Sequence, residues 1–317
     1  CLDTTSRNSG KIWSVDVNWQ EAKVLSGYSD RTAQLWRFGY ADPVASMEGH
    51  TGAVLSVAAD WASQLAVTGS TDTSLRLWDW SEKACAKTKA DLDGPCPPAH
   101  QEPPRRARCL GTLWGHEAGV LCTACSPGFS LVLSGGSDGA VRLWETRRQR
   151  CIRALVGPPS HEGGPAASAV SCLAAAWFTG RVATGAGDGA LRVWNLECGH
   201  CEYLLQGHEG PINCLEVQSG MRHAVTGAGD GTLRLWDLQS CRCLRTSHTH
   251  VDPSWNLERV EPCSLAVDWS RGRVLCGCSD GSLQLHDLSS GIVHTRRGHK
   301  QGQAVRCLSW NLLHLGE

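Results

Sequence analysis

Residues 133–144 read Leu133-Ser134-Gly135-Gly136-Ser137-Asp138-Gly139-Ala140-Val141-Arg142-Leu143-Trp144. A run of small residues leads to an Asp turn, a short alternating strand and a Trp. The pattern returns along the chain. It stands as Leu25-Ser26-Gly27-Tyr28-Ser29-Asp30 to Trp36, and as Val67-Thr68-Gly69-Ser70-Thr71-Asp72 to Trp78. Two later copies carry Asp188 and Asp230 and end at Trp194 and Trp236; a sixth carries Asp280 and ends at His286. Asp lies six residues before the terminal aromatic in every copy, and the aromatics are spaced by 42, 66, 50, 42 and 50 residues. A base period near 42, lengthened by insertions, fits a repeated four-stranded unit.

Each copy offers runs of four to six residues with period-2 alternation, which suits half-buried strands. Asp-Gly at 138–139, 188–189, 230–231 and 280–281 is a tight hairpin signal. One small sheet cannot bury both faces alone, so such units stack around an axis. Upstream of most copies stands Gly-His: Gly49-His50, Gly115-His116, Gly207-His208 and Gly298-His299, with Ser160-His161 as a variant. Trp78-Asp79 and Trp236-Asp237 close two copies, and Trp144-Glu145 and Trp194-Asn195 are near variants. On these residues, over nearly the whole chain, the sequence resembles the WD40-repeat β-propeller family.

The resemblance implies a hydrogen-bonded tetrad in each blade. The matching sets are His50, Thr68, Asp72 and Trp78; His116, Ser134, Asp138 and Trp144; His161, Thr184, Asp188 and Trp194; and His208, Thr226, Asp230 and Trp236. Two blades depart. The first has Asn8 in the His position beside Ser26, Asp30 and Trp36; the sixth has Glu258, Cys276 and His286 and keeps Asp280, so it is expected to be the loosest. Cys1–Thr5 aligns with an outer strand, while 304–308 and 312–315 align with inner ones. The expected fold is therefore all-β: a single propeller domain over 1–317 with seven four-stranded blades, the seventh split between the termini and incomplete. Because the register starts mid-repeat, the sequence is expected to be a piece of a longer protein.

A formal charge of −1 sets up no bulk field toward nucleic acid or anionic lipid. No apolar run approaches the roughly 18–20 residues of a membrane span. Seventeen cysteines follow the repeat: Cys122, Cys172, Cys214 and Cys307 fall in the slot of Ser14 and Ser56. Such a slot wants a small buried side chain, which points to reduced thiols in the cytoplasm or nucleus. Residues 81–107, with five prolines and mixed charge, are expected to be a disordered insertion. Its Arg105, Arg106 and Arg108 suit an acidic partner or a solvated loop. His248, His250, Cys198, Cys201, Cys241 and Cys243 are expected to be ordinary loop residues, since zinc needs four convergent ligands. Trp19, Trp61, Trp177 and Trp269 each follow a first strand and are expected to pack at the foot of a blade.

No phosphate loop or nucleophile elbow occurs. The expected function is a non-catalytic scaffold, with no cofactor and no metal, that binds proteins or peptides rather than nucleic acid or membrane. The family grips partners at the channel mouth, and the matching residues are Lys11, Trp13, Leu55, Leu121, Asn213, Glu261 and Arg306. Trp13 beside Lys11 and Arg306 suits a hot spot; plugging the channel is the alternative. A different alternative rests on Trp144-Glu145-Thr146-Arg147, which looks like the "WDxR box" of substrate receptors of cullin-type ubiquitin ligases, with Arg147 as the adaptor contact. A weaker one makes the chain part of a larger enzyme or signalling protein.

Overall fold

Every repeat folds into an antiparallel sheet in chain order, as its alternation and Asp turns require. The computed structural model describes residues 10–40, 42–84, 104–157, 168–249, 260–291, 293–297 and 304–309. It holds two compact units, residues 1–133 with 144–151 and residues 134–143 with 152–317.

In the first unit, β1 (Ile12–Asn18), β2 (Lys23–Tyr28), β3 (Thr32–Arg37) and β4 (Ala45–Glu48) form the first sheet. The second contains β5 (Val54–Asp60), β6 (Leu65–Ser70) and β7 (Leu75–Asp79). A two-residue strand, β8 (Arg105–Arg106), joins β4, and β9 (Arg108–Leu113) completes the second sheet. The third sheet, β10 (Val120–Cys125), β11 (Leu131–Gly136), β12 (Ala140–Glu145) and β13 (Arg150–Val156), carries residues of both units. In the second unit, the fourth sheet is β14 (Val170–Ala176), β15 (Arg181–Ala186), β16 (Leu191–Asn195) and β17 (Cys201–Leu205). The fifth is β18 (Ile212–Val217), β19 (His223–Ala228), β20 (Thr232–Asp237) and β21 (Arg242–His248). The sixth is β22 (Pro262–Asp268), β23 (Arg273–Cys278), β24 (Ser282–Asp287) and β25 (Val293–Arg297).

The second strand of each sheet is the core. In β6, Ala66 to Ser70 are all buried, and in β19 so are Ala224 to Ala228. A strand buried on both faces needs small side chains where the next sheet presses in. A Cβ at Gly69 would stand 2.6 Å from Val120 Cγ1, and one at Gly227 would stand 2.6 Å from Pro262 Cβ. The small-residue run thus sets how closely sheets stack, and the apolar residue opening the next inner strand fills the notch.

The segment 304–309 follows the same rule on the sixth sheet. Val305 N donates to Cys278 O at 3.0 Å, Ser264 Oγ donates to Val305 O at 2.8 Å, and a Cβ at Gly277 would meet Val305 Cγ1 at 2.6 Å. Val305 therefore takes the place that Ile212 and Pro262 hold on their neighbours. Of the segments assigned to the seventh blade, residues 1–5 and 312–315 lie outside the described residues. The insertion expected to be disordered over 81–107 is ordered at both ends. Ala84 N closes a turn on Ser81 O at 3.0 Å, and β8 pairs with β4. Residues 85–103 lie outside the described residues.

Candidate interaction site

Five of the inner strands begin in the same way. Ser29 N donates to Lys11 O, Thr71 N to Ala53 O, Gly187 N to Ala169 O, Gly229 N to Pro211 O and Ser279 N to Glu261 O, at 2.8–3.0 Å. In these five sheets the hairpin thereby clamps the residue ahead of the inner strand. The ladder then skips a residue: Ile12 pairs with Tyr28 but Ser14 with Gly27, and the same skip follows Val54, Val170, Ile212 and Pro262. The residues that the register passes over are Trp13, Leu55, Ser171, Asn213 and Cys263. A β-bulge re-aims its side chain and bends the strand, so these positions present side chains at fixed points.

In the first unit, Lys11 is exposed and Trp13, Leu55 and Leu121 are half-buried. Lys11 N also donates to Ser29 Oγ at 2.9 Å. In the second unit, Glu261 and Arg306 are exposed, and Asn213 donates to Pro262 O at 3.2 Å. Burial pushes the Cys263 thiol up to about 11, against the pull of Arg306. Lys11 and Trp13 belong to one unit and Arg306 to the other.

Below these positions the tetrads anchor the hairpins. In the second sheet, Trp78 Nε1 donates to Thr68 Oγ1 at 2.9 Å, His50 Nε2 lies 2.7 Å from Thr68 Oγ1, and His50 Nδ1 lies 2.8 Å from Asp72. The fifth sheet repeats this with Trp236, Thr226, His208 and Asp230 at 2.8, 2.7 and 2.9 Å. Burial pushes both imidazoles down, against the pull of Asp72 and Asp230. A neutral imidazole with one donor and one acceptor nitrogen suits this chain: Trp to Thr, Thr to His, His to Asp. Burial opposes ionisation of Asp72, but bonds from Ser74, His50 and the Thr51 amide outweigh it and hold the carboxyl well below its usual range. In the third sheet His116, Ser134 and Trp144 are buried, with the His116 and Trp144 ring centroids 6.1 Å apart.

The other sheets reach the same end differently. In the fourth, Trp194 donates to Thr184 at 2.9 Å, but Asp188 is held by buried Arg192, at 2.6 and 3.1 Å. His161 lies outside the described residues. The place of Gly49 and Gly207, against the Arg and Trp of their sheets, is taken by Gly157, whose Cβ would meet Arg192 Cδ and Trp194 Cη2 at 3.0 Å. Gly157 therefore takes the place of the glycine of Gly-His in this sheet. A signal was present in the chain: Leu155 stands two residues before Gly157, as Leu113 and Leu205 stand before Gly115 and Gly207. In the first sheet the phenol of buried Tyr28 replaces the imidazole, receiving Trp36 Nε1 at 3.0 Å and Ser26 Oγ at 2.9 Å. Asn8 is outside the described residues. In the sixth, buried His286 has Nδ1 2.9 Å from Ser247 Oγ of β21, and Cys276 lies 3.7 Å from Cys278, Sγ to Sγ.

Two half-buried carboxylates were not foreseen. Asp16 accepts Ala59 N at 2.8 Å and Trp61 Nε1 at 3.2 Å, and Glu216 accepts Val267 N at 2.9 Å. They occupy the same position on β1 and β18 and tie each inner strand to the next. Burial pushes both carboxyls up, Glu216 to about 7. Arg147 is exposed, and no ion pair engages it among the described residues, whereas Glu145 holds Arg148 and Arg150 at 3.4 and 2.9 Å. Trp19 stacks on Phe38 at 5.6 Å and Trp61 meets Trp80 edge-on at 5.7 Å, which is pairwise packing rather than a cage. The described cysteines are free thiols. No helix among the described residues is long and apolar enough to cross a membrane.

The family model "WD domain, G-beta repeat" matches residues 41–79, 107–145 and 199–237. These stretches close on Trp78, Trp144 and Trp236, in the three sheets that keep Gly-His. These three stretches are WD40 repeats, and the four-stranded antiparallel sheets are those of a β-propeller of WD40 blades. The unmatched WD40 sheets are those in which Tyr28, Arg192 or His286 has altered the polar chain. A 55-residue stretch is 49% identical to DDB1- and CUL4-associated factor 13 of Gallus gallus, covering 17% of this chain and 12% of that protein. The Homo sapiens protein is 44% identical over 55 residues. Eukaryotic translation initiation factor 3 subunit I of Drosophila melanogaster is 35% identical over 46 residues, 14% of each chain. The matched stretch thus spans about an eighth of the length of these relatives.

Proposed function

We propose that this WD40 chain, read as one propeller domain over 1–317, is a non-catalytic scaffold that binds proteins or peptides through the residues at and around the inner-strand bulges. These are Lys11, Trp13, Leu55 and Leu121 in one unit and Asn213, Glu261 and Arg306 in the other. The carrying observation is a contrast between positions. The backbone repeats at each bulge, while the side chain changes from Trp13 to Leu55, Ser171, Asn213 and Cys263. Positions that serve the fold keep their chemistry from repeat to repeat; positions free of that duty carry recognition. A large aromatic such as Trp13 suits a hot spot. A net charge of −1 favours protein partners over nucleic acid and membrane. Free thiols, with burial pushing Cys172 to about 12, fit a reducing compartment, cytoplasmic or nuclear. The test is affinity capture with Trp13→Ala plus Arg306→Glu. Partner recovery should fall at least tenfold with an unchanged circular-dichroism spectrum; undiminished recovery removes the site.

A second reading has one specific observation behind it. Arg147 stands exposed after Trp144-Glu145, and a stretch of the chain resembles a DDB1- and CUL4-associated factor. We propose as the alternative that the chain docks a cullin-ligase adaptor through Arg147. Arg147→Glu should abolish co-purification with DDB1; unaltered co-purification, or none in the wild type, rejects this reading.

A further inference from the structure

Only the first sheet among the described residues gains a strand beyond its fourth. Its outer strand, β4, has four residues where the other outer strands have five to seven. The added strand comes from the far end of the insertion and runs parallel to β4, with Ala45 opposite Arg105 and Ser46 opposite Arg106. Arg105 N donates to Val44 O at 3.2 Å and Ala107 N donates to Ser46 O at 2.8 Å. Ala107 is buried in the cluster that includes Trp80, Met47 and Ala45. Arg106 reaches Glu48 at 3.3 Å, and Arg105 reaches Glu82 at 3.3 Å. Two of the three cations that suit an acidic partner are thus met inside the chain.

This arrangement has the form of peptide recognition by strand addition: main-chain bonds give the grip, and alternate side chains give the choice. Two carboxylates select consecutive cations, and the packing of Ala107 into the cluster with Trp80 selects a small apolar residue after them. Both ion pairs are exposed, so each adds little, and the strap pairs with β4 over two residues. Such a short exposed segment opens far more easily than a core strand.

We propose that the outer edge of the first sheet is a strand-addition site for an extended segment of a partner protein, carrying two consecutive cations followed by a small apolar residue, and that residues 105–107 occupy it in cis as a displaceable strap. The site is separate from the bulge positions and does not rest on their role. An open sheet edge is a template for any compatible strand; the strap keeps this one closed until a matching segment competes.

The test uses the full chain and a fluorescein-labelled peptide, Pro-Pro-Arg-Arg-Ala-Arg. In Arg105→Pro/Ala107→Pro both donating amides are lost, so the strap cannot pair. The peptide should bind this variant at least tenfold tighter than the wild type, and a peptide with Glu in place of Ala should not bind. Equal affinity for both proteins, with the variant folded by circular dichroism, overturns the proposal. Should the variant fail to fold, amide exchange on the wild type decides. Arg105 and Ala107 amides should exchange at least a hundredfold faster than that of Val67; exchange at the same rate as Val67 overturns the strap's displaceability. A concentration-dependent wild-type dimer that the variant loses would assign the edge to a second copy and overturn a foreign partner.

Discussion

The fifth and sixth sheets have the same ladder and different chemistry. Thr226 pairs with Arg234 and Ala224 with Trp236 in the fifth; Cys276 pairs with Gln284 and Val274 with His286 in the sixth. In the fifth, the Trp, Thr, His and Asp of one sheet satisfy one another. In the sixth, His286 turns to Ser247 on the outer strand of the fifth, and two buried thiols fill the Thr position and its neighbour. Register is therefore kept by alternation, hairpin turns and the glycine notch, since a one-residue slip would turn every apolar side chain outward. The polar chain is an addition to that frame, and one sheet can borrow its partner from the next.

The largest expected effect separates the two terminal aromatics. Trp236→Ala removes a fully buried indole and strands Thr226, and should cost about 3–5 kcal/mol in urea unfolding. His286→Ala empties a smaller volume and takes a ring nitrogen from Ser247, for about 1–3 kcal/mol. Equal losses would break the comparison, because His286 would then carry the weight of a Trp.

A smaller effect sharpens it through pH. His50 and His208 have folded pKa values below the ordinary 6.5, so the unfolded chain takes up their protons first. Their contribution is present above about pH 6.5 and lost as pH falls through the folded values. Asp72 and Asp230, held below 3.8, extend the loss to lower pH. Glu216 works the other way. Its carboxyl, raised from 4.5 to about 7, withdraws stability as pH rises through that interval. Glu216→Gln keeps an oxygen for Val267 N and removes the buried charge. Its melting temperature should exceed the wild type's at pH 8, by the equivalent of roughly 1 kcal/mol, and the gap should close near pH 5. A constant gap would show that burial of Glu216 is not what divides the two proteins.

The smallest effect concerns a turn. The fifth-sheet hairpin has Gly231 at φ 75°, whereas the second-sheet hairpin places Thr73 at φ 71°. A β-branched residue is strained there. Thr73→Gly should raise stability by about 0.5–1 kcal/mol, read as a small shift in urea midpoint. A loss would mean that Thr73 makes up its backbone strain elsewhere.

Local pattern was enough for much of this protein. The Asp spaced six residues before each aromatic fixes a hairpin and a third strand, and the small-residue run before it fixes a strand buried on both faces. Those features act over a few residues, so the repeat and the tetrads of the second and fifth sheets were legible without coordinates. Three things were not. Tyr28 substitutes for an imidazole because its phenol reaches a point that only packing places beside Ser26 and Trp36. Arg192 takes Asp188 in the sheet where Gly157 stands in the place of Gly49 and Gly207. Asp16 and Glu216 bond amides 43 and 51 residues onward, on the next inner strand. The strap at Arg105–Ala107 belongs with these, since its partner strand lies about 60 residues earlier and nothing in its local sequence names it. Sequence determines what each segment prefers to be. Which side chain answers a buried donor is decided by the stacking of sheets, because desolvation makes any oxygen within reach a better partner than none.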